Sequence, residues 1–217
     1  WMWQTDPGPN HPPVDIGGGI TLPVYVTGTR SHSWWAMVVL LLVAASLFVA
    51  LIFAYLYVWT VSPGFWPARS GQAMPKLDWP IASAAALLAS SMAIGASRQL
   101  LAGLRTRAKW PVCLGLMLAC CAIAAGLYCE FQGHWQSGLR PTADSYGALV
   151  YAVMAVEAQL VATAILMGLY TVARSLAGKL DAVRRVTFDN TELFWHYTVA
   201  QGLLGLLIVH GFPRIVI

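Results

Sequence analysis

Long apolar stretches bounded by aromatic and basic residues repeat five times along the chain. They run over about Trp34–Trp59, Trp79–Leu101, Trp110–Tyr128, Tyr146–Val172 and Leu193–Phe212. Each is near or above the ~20 residues that cross ~30 Å of hydrocarbon. Backbone groups in lipid must be paired within their own segment, so all five are predicted to be helices. Trp34, Trp35, Trp59, Trp79, Trp110, Trp135 and Trp195 fall at segment ends or just beyond them, where indole rings settle at headgroup depth. The pattern predicts an all-α membrane protein, a bundle of five transmembrane helices over residues 30–217. Residues 1–29 differ: Pro7, Pro9, Pro12 and Pro13 and the run Gly17-Gly18-Gly19 predict a linker or tail without a core.

Composition agrees. The chain has 217 residues, 58% hydrophobic and 10% charged, against about 25% charged in soluble domains. Nine of the thirteen Lys and Arg residues lie on one side of the predicted membrane: Arg30, Arg98, Arg105, Arg107, Lys109, Arg174, Lys179, Arg184 and Arg185. Arg69, Lys76, Arg140 and Arg214 lie on the other. The positive-inside rule then puts the N-terminus in the cytoplasm and the C-terminus outside. A net charge of +4, scattered and without a basic stripe, excludes a nucleic-acid footprint. Cys113, Cys120, Cys121 and Cys129 lack the spacing of a zinc knuckle and read as small apolar residues. The chain begins with Trp1 and has no signal-peptide pattern, so it is expected to be processed or to be one part of a longer polypeptide.

Small residues indicate how the helices pack. Ala85, Ala89, Ala93 and Ser97 recur every fourth residue in the second segment, and Gly115 with Ala119 and Ala122 with Gly126 in the third. Such stripes let helix backbones approach closely in lipid.

Few residues offer chemistry. The aspartates, Glu130 and Glu192 are placed in loops or at segment ends, Asp189 and Glu192 as an N-terminal cap of the fifth helix. Glu157 is the acid in mid-membrane, with Gln159 close by; an ionisable group there costs about 2.5 kcal/mol or more and marks a functional position by default. Its expected partners are Gln159, Ser90 or Ser91, or another subunit; the readings left open are a buried structural hydrogen bond and a role in proton or lipid handling. His196 and His210, fourteen residues apart, share a helix face within about 40°. His11, His32 and His134 are placed in loops, which leaves no second pair for a bis-histidine haem. The simpler reading makes His196 and His210 amphipathic markers of the two water boundaries. No nucleophile elbow, phosphate loop or paired-carboxylate motif is present.

Several fragments together resemble subunit III of the haem–copper terminal oxidases (cytochrome c oxidase). They are Ala54-Tyr55-Leu56-Tyr57-Val58-Trp59, the loop Gly138-Leu139-Arg140-Pro141-Thr142 with Ser145-Tyr146-Gly147, and above all Phe194-Trp195-His196-Tyr197. The five-helix span is similar to short bacterial forms. It is closer still to forms fused behind subunit I, on Ser31-His32-Ser33-Trp34-Trp35, the terminal Phe212-Pro213-Arg214 and the absent initiator Met. The resemblance implies a multi-pass protein of the bacterial inner membrane, packed against subunits I and II of a respiratory, proton-pumping enzyme and binding phospholipid. It implies no catalytic, cofactor or metal residue in this chain, since haems and copper belong to the partners. Trp34, Tyr55, Glu157, Gln159, Trp195, His196 and Tyr197 are the candidate interface, lipid or buried polar residues.

The sequence also departs from that family. Ala44-Ala45-Ser46 replaces a glutamate often found in the first of these helices. Val156-Glu157-Ala158-Gln159-Leu160 replaces a histidine pair, and Val199-Ala200-Gln201 replaces an aspartate. The family's glutamate at the preceding helix end is matched by Glu130 or lost at His134. Two other readings stay open: an accessory subunit of a nitric oxide reductase, and a stand-alone transporter. Glu157→Gln is expected to leave the bundle folded, as read by its elution in detergent. Loss of expression would show that the carboxylate is needed for packing.

Overall fold

The computed structural model describes residues 14–22, 31–67, 74–103, 109–180 and 184–215. The N-terminal prolines, Asp6, His11, Arg30, Arg69, Arg105, Arg107 and Asp181 lie outside the described residues.

Five helices carry the fold: α1 (His32–Val61), α2 (Asp78–Gly103), α3 (Lys109–Gln136), α4 (Ser145–Leu176) and α5 (Val186–Leu206). The last runs on through a π turn (Leu207–Gly211) into a final helical turn (Phe212–Ile215). Each is long and apolar enough to cross a membrane. A two-residue pairing, Val14–Asp15 with Thr21–Leu22, is the only strand structure among the described residues. Its turn needs glycine: Gly17, Gly18 and Gly19 hold φ of +96°, +65° and +78°.

The helices extend past the apolar stretches that predict them, most of all α3, which continues through Cys129 to Gln136. Hydropathy stops at the first polar residues, whereas the backbone stays helical until its hydrogen bonds run out. At the start of α1 the Ser31 hydroxyl accepts from the Trp34 amide at 3.3 Å, and at the start of α4 the Asp144 carboxylate accepts from Gly147 at 2.6 Å. The expected cap of α5 is corrected. Arg185 occupies the cap position without a side-chain bond, and Asp189 pairs instead with Arg185 at 3.3 Å.

The chain alternates direction, so α2 and α4 start at the end of the bundle where α1, α3 and α5 finish. α2, α3, α4 and α5 close a ring in which each packs on its neighbours, and α1 lies outside it against α4 and α5. α1 buries Leu41, Phe48 and Tyr55, one residue every seventh, and leaves Val39, Leu42, Val49 and Phe53 among its many exposed apolar side chains. Inside the ring the close approaches fall at small residues. A Cβ on Gly115 would meet Ser97 Oγ, one on Gly126 would lie 3.3 Å from the Ser83 carbonyl, and one on Gly133 would lie 2.8 Å from Trp79 Cβ. The α3 stripe therefore does what its spacing predicts. On α2 the stripe is shifted: Ala85 and Ala89 are exposed, and the fully buried face carries Ser83, Ser90 and Ser97 with Leu87 and Ile94. Heptad spacing tracks the facing helix where the every-fourth spacing drifts away from it.

Gly147 packs under the chain that leads into α4, where a Cβ would run into the Arg140 carbonyl oxygen. Gly147→Ala is expected to lower stability by at least about 1–3 kcal/mol. Gly95→Ala, with nothing within 4 Å of the added methyl, is expected to be neutral or to stabilise by up to about 1 kcal/mol. Thermal unfolding of both variants in detergent checks the pair.

Candidate functional site

Two polar sites lie within the apolar bundle, one near each end. The first joins α2 to α5 near the end where α1 begins. Trp195 is fully buried inside the ring; its indole N–H donates to Ser90 Oγ at 3.1 Å, and its ring lies over Gly168 of α4. One residue on, His196 Nδ1 shares a 2.8 Å hydrogen bond with Ser91, while its Nε2 is 3.7 Å from Glu192. Glu192 also meets Arg98 at 3.4 Å. The Tyr197 hydroxyl donates to Gln201 Oε1 at 2.6 Å. Adjacent residues of the Phe194–Tyr197 segment thus turn to adjacent serines of α2 and fix the register of the two helices. Trp34 sits in the first turn of α1, edge-on to Trp35. Between the starts of α1 and α5 and the end of α4 lies an open cleft of about 410 Å³, lined by Met37, Leu166, Met167, Tyr170, Thr187, Asn190 and Thr191.

The second site lies near the opposite end and is built mostly from residues placed elsewhere by the sequence. Glu157 faces neither Gln159, Ser90 nor Ser91. Gln159 is exposed, Ser90 donates to the Leu87 carbonyl, and Ser91 is engaged with His196. The Glu157 carboxyl instead adjoins that of Glu130. Glu130 and His134, one helical turn apart on α3, share a face, and both are buried. His134 stacks on His210, ring centroids 4.7 Å apart and planes at 22°. His210 is 4% exposed and marks no water boundary; His134 and Glu130, expected in a loop and at a segment end, are 0% and 2% exposed within α3.

The π turn explains how His210 comes to face inward. Pro213 has no N–H for the Val209 carbonyl, and its ring would clash with that oxygen in a regular helix. The backbone takes up one wider turn over Leu207–Gly211. Arg214 then donates to the carbonyls of His210 and Pro75, and its charge lies close to both imidazoles. Beside the site, Tyr55 is fully buried against the rings of Trp66, Tyr146 and Phe212.

Room for the Glu157 carboxyl comes from Gly202 of α5, where a Cβ would stand 2.5 Å from Glu157 Oε1 and 3.0 Å from Leu87 Cδ1. Both ring nitrogens of His134, Nε2 of His210, Oε2 of Glu130 and Oε1 of Glu157 have no hydrogen-bond partner within the chain. Each buried polar atom left so costs about 1–3 kcal/mol, and those of Glu130, His134 and His210 lie together, so the cluster is costly unless something else pairs them. Two signals in the sequence point toward this cluster: the four-residue spacing of Glu130 and His134, and Pro213 three residues after His210.

No protein-family model and no curated protein sequence matches the chain. Five helices long and apolar enough to cross a membrane point to a class, a multi-pass membrane protein.

Gly202→Ala is expected to destabilise the bundle, and Glu157→Ala to relieve part of that loss. The double variant should fall short of the sum of the single losses by about 0.5–3 kcal/mol. Unfolding measured around the cycle tests the contact; strict additivity would refute it.

Proposed function

We propose that the chain is a non-catalytic subunit III, or subunit III-like domain, of a respiratory haem–copper terminal oxidase in a bacterial inner membrane. The carrying observation is the work done by Phe194-Trp195-His196-Tyr197. This segment, the most specific part of the resemblance, binds helix to helix: Trp195 to Ser90 and His196 to Ser91. Those contacts suit a scaffolding subunit.

Further features support the reading. The outer face of α1 presents Val39, Leu42, Val49 and Phe53, an apolar surface for lipid or for the helices of subunit I. The cleft between α1, α4 and α5 is apolar along Met37, Leu166 and Met167, with Asn190 and Thr191 beside them, and suits a phospholipid chain. With the N-terminus cytoplasmic, the Trp195 site lies toward the cytoplasm and the Glu130–His210 site toward the outside. In this arrangement the partner subunits hold haem and copper, and the chain stabilises them.

The test is purification of the polypeptide from its native membrane in mild detergent, with a reduced-minus-oxidised spectrum and identification of what accompanies it. Haem bands together with a many-helix haem–copper subunit, bound or fused, are the expected result. A colourless chain migrating alone would overturn the reading, and a nitric oxide reductase partner would reassign it.

A further inference from the structure

We propose that Glu130, His134 and His210 bind one divalent transition cation, zinc by their ligand set, as a clamp between α3 and the π turn that continues α5. One ligand atom from each of Glu130, His134 and His210 lies within 4.8 Å of the other two. Small side-chain rotations bring such a trio onto a common centre, since Zn–N and Zn–O bonds span about 2.0–2.2 Å. The Glu157 carboxyl of α4 adjoins that of Glu130 and adds a second buried acid beside the trio.

Three further observations point to a ligand. All four side chains are at least nine-tenths buried, and each keeps at least one polar atom without a partner in the chain. His210 reaches the spot through a π turn, a rare backbone feature that gathers at functional sites. Gly202 leaves the Glu157 carboxyl its room; any side chain there would displace it.

The donor set selects the metal. Two imidazoles and a carboxylate suit zinc and its neighbours, whereas calcium and magnesium take oxygen ligands. Three protein ligands leave a fourth tetrahedral position open beside the Glu157 carboxyl. Two ionised carboxylates neutralise the cation. Arg214, the nearby positive charge, is tied to the His210 and Pro75 carbonyls. The inference goes beyond the oxidase reading and does not depend on it.

The test measures zinc in the protein purified from its native membrane without chelator, for the unaltered chain, His134→Gln, His210→Gln and His196→Gln. The expected result is close to one zinc per chain. It should fall below about a tenth in the His134 and His210 variants and persist in His196→Gln, whose ring is exposed and bonded to Ser91. A second measurement needs no variant to fold: Co2+ added to the chelator-treated protein should give the intense visible bands of tetrahedral coordination. Zinc unchanged by both variants would overturn the proposal. So would failure of the unaltered protein to show those cobalt bands, which would leave a hydrated polar cluster in place of a metal site.

Discussion

Close contact between helix backbones underlies this bundle. In lipid, apolar side chains gain little by leaving their surroundings for one another, so helices associate through packing and hydrogen bonds. Packing of that kind needs small residues at the crossings, and α3 supplies Gly115, Gly126 and Gly133 against Ser97, Ser83 and Trp79 of α2. The ring of α2–α5 depends on these approaches. α1 makes few of them and lies outside, largely exposed.

The closeness that holds the ring together also sets the terms for polar groups inside it. Near one end, the buried Trp195 and Glu192 find Ser90 and Arg98 across the α2–α5 seam, and the exposed His196 bonds Ser91 beside them. Near the other end, Glu130, His134 and His210 converge beside Glu157, each with a polar atom unpaired within the chain. One site reads as a joint between helices. The other has the donors of a binding site, and it sits beside the aromatic cluster of Tyr55, Trp66, Tyr146 and Phe212 that closes this end of the bundle.

The two sites serve one architectural need. α2 and α5 are locked in register near one end by the Trp195 contacts, while α3, α4 and α5 meet through the acid–histidine cluster near the other. α5 is common to both and is the most buried of the five spans. The subunit role proposed above would call for a rigid central helix of this kind, with the apolar faces of its neighbours free for partners.

The sequence by itself determined that the chain forms five membrane-crossing helices, because length and hydropathy decide that question locally. It also determined the small-residue packing of α3 and singled out Trp195, His196 and Glu157. What surrounds Glu157 was decided only by tertiary structure. Glu130 and Glu157 are far apart in sequence, and a polar run after Tyr128 looks like a helix end until the backbone is traced to Gln136. His210 likewise reads as a boundary residue until the π turn before Pro213 turns it inward. The buried stripe of α2 also had to await the fold, since Ser83, Ser90 and Ser97 are selected over Ala85 and Ala89 by which helix lies opposite. Periodicity reports the existence of a face; which face is buried, and what it meets, depends on contacts between residues that no local pattern links.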